Sequence, residues 1–358
     1  MKKRTFALAL TTVLASALVL GACGSNDSDS KSGGSKDSDK NFTVAMVTDT
    51  GGVDDRSFNQ SAWEGLQAFG KDNDMKKGTD GYNYLQSASE ADYKTNLNTA
   101  VRSDYDLIFG IGYKLKEAIE TVSKQNPDNH FAIVDDNIDD RDNVVSIGFK
   151  DNDGSFLVGV VAGLTTKTDK VGFVGGVKGE VIDRFEAGFT EGVKAVNPDA
   201  KIDVQYANDF AKADKGQQIA STMYSSGVDV IFHAAGGTGN GVFAEAKNLK
   251  KKDPSRAVWV IGVDRDQWDE GKVKANDGKE YNVTLTSEIK RVDIAVKDLS
   301  TRAKAGDFPG GEKIEYGLDK DAVGLSPHQE NISADILKKV DEYKQKIVDG
   351  EIKVPEKP

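Results

Sequence analysis

A single cysteine, Cys23, leaves no intrachain disulfide and no Cys-based structural zinc site. Three histidines, His130, His233 and His328, stand far apart, and neither an HExxH helix nor a GxSxG elbow occurs. Basic residues are outnumbered, 47 against 58 acidic, for a formal charge of −11, so a generic grip on nucleic-acid phosphates is excluded. Long apolar runs are missing too. The stretch from Thr5 to Leu20 is too short and too weakly flanked to span a bilayer. Only 7 prolines accompany 37 glycines, which excludes a collagenous chain. What is present is 38% hydrophobic and 29% charged residues over 358 positions, enough for two soluble domains with sizeable cores.

The amino terminus reads as an address. Met1-Lys2-Lys3-Arg4 is a basic lead, the apolar stretch follows, and Leu20-Gly21-Ala22-Cys23 resembles a bacterial lipobox. Residues 1–22 are expected to be a lipoprotein signal peptide and Cys23 to carry lipid, each buried CH₂ adding ~0.8 kcal/mol of membrane affinity. Gly24 to Lys40 is Ser, Asp, Gly and Lys with almost nothing apolar, so 23–40 is a lipidated cysteine plus flexible linker.

From Phe42 onward, short apolar runs alternate with helical patterns. Strands are predicted near 42–47, 82–86, 107–111, 131–134, 144–148, 171–174, 202–206, 228–233, 258–263 and 283–287, with helices between most of them and a last one over 332–348. This alternation signals parallel sheets with helical crossovers. It also repeats at an offset of roughly 125 residues. Val44 to Val47 matches Val171 to Val174, Asp55-Arg56 matches Asp183-Arg184, and Glu64-Gly65 matches Glu191-Gly192. Asp106 matches Asp229, and Val134-Asp135 matches Val263-Asp264. A period this long is two related α/β domains, not a solenoid.

Ligands of open parallel sheets bind beyond the carboxyl ends of strands, so a cleft between two such sheets is the expected site. After the first strand comes Asp49-Thr-Gly-Gly-Val-Asp-Asp-Arg-Ser57-Phe58-Asn59-Gln60. Ser57 and Gln60 fit a capping box, which would put Phe58 and Asn59 in the first turn of a helix. Later strand ends carry Asp135-Asp136-Asn137, Asn208-Asp209-Phe210, Asp264 and Lys290. The run Ala235-Gly236-Gly237-Thr238-Gly239 fits neither GxGxxG nor a P-loop.

The motif Thr48-Asp49-x-Gly-Gly-x-x-Asp-x-Ser57-Phe58-Asn59-Gln60, with Trp63-Glu-Gly-Leu66 just downstream, resembles the basic membrane protein (BMP, PnrA-like) family of ABC-importer substrate-binding lipoproteins. The resemblance implies an α/β clamshell of the type I periplasmic-binding-protein kind, two doubly wound parallel-sheet domains joined by a hinge. It implies a nucleoside ligand, purine or pyrimidine, an ABC permease and ATPase as partners, no cofactor, no metal, no nucleic acid, and a monomer on the outer face of the bacterial cytoplasmic membrane. Phe58 and Phe210 are the implied base sandwich. Asp49, Asn59 and Asp136 are the implied base-edge contacts, Asp264 and Lys290 hold the ribose diol, and Gly237 with Gly236 lies near the 5′ hydroxyl. Abundant carboxylates would oppose phosphate, favouring nucleosides over nucleotides. The expected lobes are 41–149 plus 265–317 and 150–264 plus 318–358, with crossings near 148–152, 263–266 and 316–324. Two alternatives stand beside this reading. One is a nucleoside hydrolase, whose aspartate cluster Asp49-Thr-Gly-Gly-Val-Asp54-Asp55 matches only in part. The other is a surface receptor or adhesin keeping the clamshell without transport.

Overall fold

Val44–Val47 and Leu107–Ile111 are buried at every position, the pattern of strands covered on both faces in a parallel sheet. The computed structural model describes residues 41–358, so the expected leader, Cys23 and the linker lie outside the described residues. The first series runs β1 (Val44–Val47), α1 (Phe58–Asp72), β2 (Tyr82–Leu85), α2 (Asp92–Arg102), β3 (Leu107–Ile111), α3 (Lys116–Gln125), β4 (His130–Val134) and β5 (Val144–Phe149). The second runs α4 (Asp151–Thr165), β6 (Lys170–Gly175), α5 (Glu180–Val196), β7 (Lys201–Tyr206), α6 (Ala213–Ser225), β8 (Val230–Ala234), α7 (Gly239–Lys252) and β9 (Trp259–Asp264). A small hairpin, β10 (Lys272–Lys274) and β11 (Glu280–Asn282), precedes β12 (Thr284–Lys290). Then come α8 (Val292–Lys304), β13 (Lys313–Tyr316), β14 (Val323–Leu325) and α9 (Ala334–Val348).

Two six-stranded sheets result, in the orders β13-β5-β4-β3-β1-β2 and β14-β12-β9-β8-β6-β7. Matching β1 with β6, β2 with β7, β3 with β8, β4 with β9 and β5 with β12 gives one topology twice. The edges differ: β13 joins its sheet parallel, β14 antiparallel. The sequence matches have physical roles. Asp106, ahead of β3, accepts from Thr43 N–H (2.7 Å) and Oγ1 (2.9 Å), tying down the start of β1. Asp229, ahead of β8, accepts from Thr166 Oγ1 and Lys167 N–H, both at 2.6 Å, doing the same before β6. Gly65 and Gly192 both let a helix approach its neighbour. A Cβ would stand 2.3 Å from the Asp293 carbonyl oxygen at Gly65 and 2.0 Å from that of Phe156 at Gly192. The match of Asp55-Arg56 with Asp183-Arg184 does not carry over, since the first pair precedes α1 and the second lies inside α5.

The chain changes sheets at residue 150, at 291 and over 317–322. The second crossing corrects the expectation of 263–266. After β9 the chain stays with the second sheet, and β12 lies parallel against β9 before α8 departs to pack on α1. Residues 272–290 therefore belong to the second lobe, not to the first as expected for 265–317. The last helix returns to the second lobe against α4. The capping box is corrected as well. Ser57 makes no side-chain cap, and Gln60 Nε2 donates to Glu64 instead. Asp55 caps α1, accepting the N–H groups of Asn59 (2.9 Å) and Gln60 (3.1 Å).

Candidate ligand-binding site

The ends of β1, β3, β4, β8, β9 and β12 converge on one cavity between the sheets. Of the residues expected from sequence, Asp49, Phe58, Asn59, Phe210, Gly236, Asp264 and Lys290 line it. Asp136 and Gly237 are not among the lining residues. Asp136 instead pairs with Lys116 (2.8 Å) on the flank of the cleft. Gly237 sits just behind the wall, where a Cβ would be 3.3 Å from the Phe210 carbonyl oxygen.

Asp135 lines the cavity where Asp136 does not, and its backbone is left-handed. It has φ 69°, and Asp264 at the matching strand end has φ 66°. Left-handed backbone is uncommon outside glycine but tolerated by aspartate. The same turn after β4 and β9 thus brings one carboxylate from each lobe into the cavity.

Lys290 joins them. Its Nζ lies 2.6 Å from Asp135 Oδ2 and 3.0 Å from Asp151 Oδ1, and its side chain is 1% exposed. Arg184 binds the other oxygen of Asp151 through Nε (3.1 Å) and one terminal nitrogen (2.8 Å). The Nζ also lies 5.1 to 5.4 Å from the ring centres of Phe58, Phe149 and Phe185, within cation–π range. Burial opposes the lysine charge, but Asp135, Asp151 and Asp264 outweigh it and hold its pKa above the usual value. Burial pushes Asp264 up to about 7 against the pull of Lys290, and Asp49 up to about 6 against the Gly51 N–H and Asn59. Beneath this cluster, Glu288 is fully buried, and neither carboxyl oxygen has a hydrogen-bond partner among the described residues. Burial and the nearby aspartates raise it well above its ordinary range.

Asn59 is largely spent within the protein. Its Nδ2 donates to Asp49 Oδ1 (2.7 Å) and Asp55 Oδ2 (2.9 Å), and its Oδ1 accepts the Asp49 N–H (3.2 Å). A ligand can use only the second lone pair of Oδ1. Phe210 is backed by Gly176, where a Cβ would stand 2.1 Å from ring atom Cε1. The Phe210 ring meets Tyr113 edge-on at 6.3 Å, and Lys114 Nζ lies 5.7 Å from its centre. Sequence reasoning missed Asp55, Tyr113, Lys114, Val181, Ile182 and Phe185 as lining residues. The α5 residues had a signal: they follow β6 as Phe58 and Asn59 follow β1, at the helix start facing the cleft.

Among the described residues no helix is long and apolar enough to cross a membrane. Residues 42–358 match the family model of PnrA-like ABC transporter substrate-binding proteins. The chain is 87% identical over 358 residues to a CD4+ T-cell-stimulating antigen of Listeria innocua, covering all of both chains. It is 49% identical, again over the whole of both, to the ABC transporter nucleoside-binding protein BmpA of Lactococcus lactis. A crystal structure of an ABC transporter solute-binding protein from Aeropyrum pernix superposes with TM-score 0.76 at 27% identity, covering 88% of this chain and 94% of that one. The chain belongs to the PnrA-like family of ABC transporter substrate-binding proteins.

Proposed function

We propose that this chain is an extracytoplasmic lipoprotein, anchored through lipid on Cys23, that captures a nucleoside between its lobes and delivers it to an ABC importer. The observation that supports the reading is the lining of one cavity: Phe58 from the first lobe and Phe185 and Phe210 from the second, together with four carboxylates and two lysines. Aromatic rings take either face of a heterocycle, at about 1–3 kcal/mol per base stacked. Asp264 and Lys290 offer an acceptor and a donor for a vicinal diol. Asp49 and Asp135, rather than Asp136, are the acceptors for donor groups on the base edge, while Gly236 leaves backbone room near the 5′ carbon. The excess of carboxylates disfavours a phosphate. Asp55, one carboxylate of the cluster that resembles a hydrolase's calcium site, has its oxygens occupied by the N–H groups of Ser57, Asn59 and Gln60 and by Asn59 Nδ2.

Denaturing the protein as purified and weighing the small molecules released tests this directly, together with calorimetry against purine and pyrimidine nucleosides. A nucleoside retained or bound supports the reading; binding of none overturns it. Release of free base from inosine, stopped by calcium chelation, would make the protein a hydrolase. Nucleoside binding without any loss of uptake on deleting the importer would make it a receptor. Cys23→Ser should shed the protein into the medium, and its retention on the membrane would remove the anchor.

A further inference from the structure

Ser57 directly precedes α1, where a serine hydroxyl ordinarily binds a free N–H of the first turn. Asp55 does that work here, and Ser57 Oγ turns to the other lobe. It donates to Asp264 Oδ2, with the Val263 carbonyl oxygen 3.4 Å away. Both residues are buried, Ser57 at 0% and Asp264 at 7% exposure. Flanking contacts hold the two segments together. Gln267 Nε2 donates to the Arg56 carbonyl (2.9 Å), Asn240 Nδ2 to the Asp55 carbonyl (3.3 Å), Arg56 pairs with Glu270, and Arg265 binds Glu64 at 2.6 and 3.0 Å.

We propose that Ser57 is a positioning residue for nucleoside capture: its hydroxyl crosses from the first lobe to fix Asp264 of the second, so the diol-binding carboxylate is fully formed only when the lobes are closed. The proposal rests on the nucleoside reading above. Oδ2 is held by Ser57, which leaves Oδ1 for the ligand. The charged and titratable groups around Asp264 are Asp55 from the loop before α1, Asp135 from the end of β4, and Glu288 and Lys290 on β12. Burial first, and then the acidic neighbours, favour the protonated form of Asp264, which could not accept from two hydroxyls. Lys290 and the Ser57 hydroxyl both favour the ionised form. Ser57 therefore fixes the direction of the acceptor and, with Lys290, favours its charged form.

The test measures the affinities of inosine and 2′,3′-dideoxyinosine for wild type, Ser57→Ala and Ser57→Thr, from mildly acidic to mildly alkaline pH. Ser57→Ala should weaken inosine about tenfold and the dideoxy compound less than about twofold, the loss of one hydrogen bond to a charged group. Its inosine affinity should also begin to fall at a higher pH on acidification, and Ser57→Thr should restore both properties. Equal losses for the two ligands, or an unmoved pH profile, would overturn the proposal. If wild type binds neither compound, the nucleoside reading fails, and Ser57 is judged on the ¹³C titration of the Asp264 carboxyl in the protein alone. A higher midpoint in Ser57→Ala then supports the contact, and coincident curves refute it.

Discussion

Phe58 and Phe210 enter the cavity from opposite lobes, one from the first turn of α1 and one after β7. Stacking does not select among bases, so Phe58→Ala should weaken every nucleoside by a similar factor, on the order of tenfold to a hundredfold. A loss confined to purines, measured by calorimetry, would contradict that. Asp264 carries a pH prediction in two directions. Its pKa is raised from the unfolded value of 3.8 to about 7, so the folded state binds more protons over that interval. Stability of the ligand-free protein should therefore fall as pH rises from 4 to 7, by on the order of 1 kcal/mol per pH unit where the group titrates. Asp264→Asn should flatten that slope in urea titrations. Affinity for ribonucleosides should move the opposite way, because the ionised carboxyl is the acceptor. At this scale the sequence was readable where a residue type matters and unreadable where one turn decides. The match of Val134-Asp135 with Val263-Asp264 is in the sequence, but the left-handed backbone that Asp135 shares with Asp264 leaves no mark in composition, and the sequence does not tell Asp135 from Asp136.

Helix pairs are drawn together by glycines. On α5, a Cβ at Gly188 would meet the Asn152 carbonyl oxygen at 2.1 Å and one at Gly192 the Phe156 carbonyl oxygen at 2.0 Å, both on α4. Backbone cannot yield as a flexible side chain can, so Gly192→Ala should destabilise the protein by about 1–3 kcal/mol, read as a lower urea midpoint with unchanged slope. No loss would mean that α4 and α5 can slide apart without cost. The element order was legible because parallel strands buried on both faces give continuous apolar runs. What escaped were β10, β11, β13 and β14, three or four residues each, too short to show a period. The second crossing escaped for a different reason. Asp264 ends a strand just as Asp135 does, but β5 follows the first and β12 the second, each in the same sheet as its predecessor. The repeat, followed one strand further, places the departure after Lys290.

For the molecule as a whole, three short passages at 150, 291 and 317–322 are all that connect the sheets covalently, so rotation of one lobe against the other is the expected motion. Saturating nucleoside should shift the balance toward the closed form and lower the radius of gyration in solution scattering. An unchanged radius would mean that the free protein is already shut. Removing Lys290 as Lys290→Met should leave Asp135 and Asp151 facing each other in a dry interior, at a cost of about 3–5 kcal/mol in chemical unfolding. The arrangement around Lys290 also bears on how firmly the shell shuts by itself. Asp135 belongs to one lobe, while Lys290 leads out of the last parallel strand of the other. Parting them lets water reach both ions, and their hydration then offsets most of the attraction given up. This one ion pair therefore resists opening less than its burial suggests, and the contacts around Ser57 and Arg265 carry much of the grip.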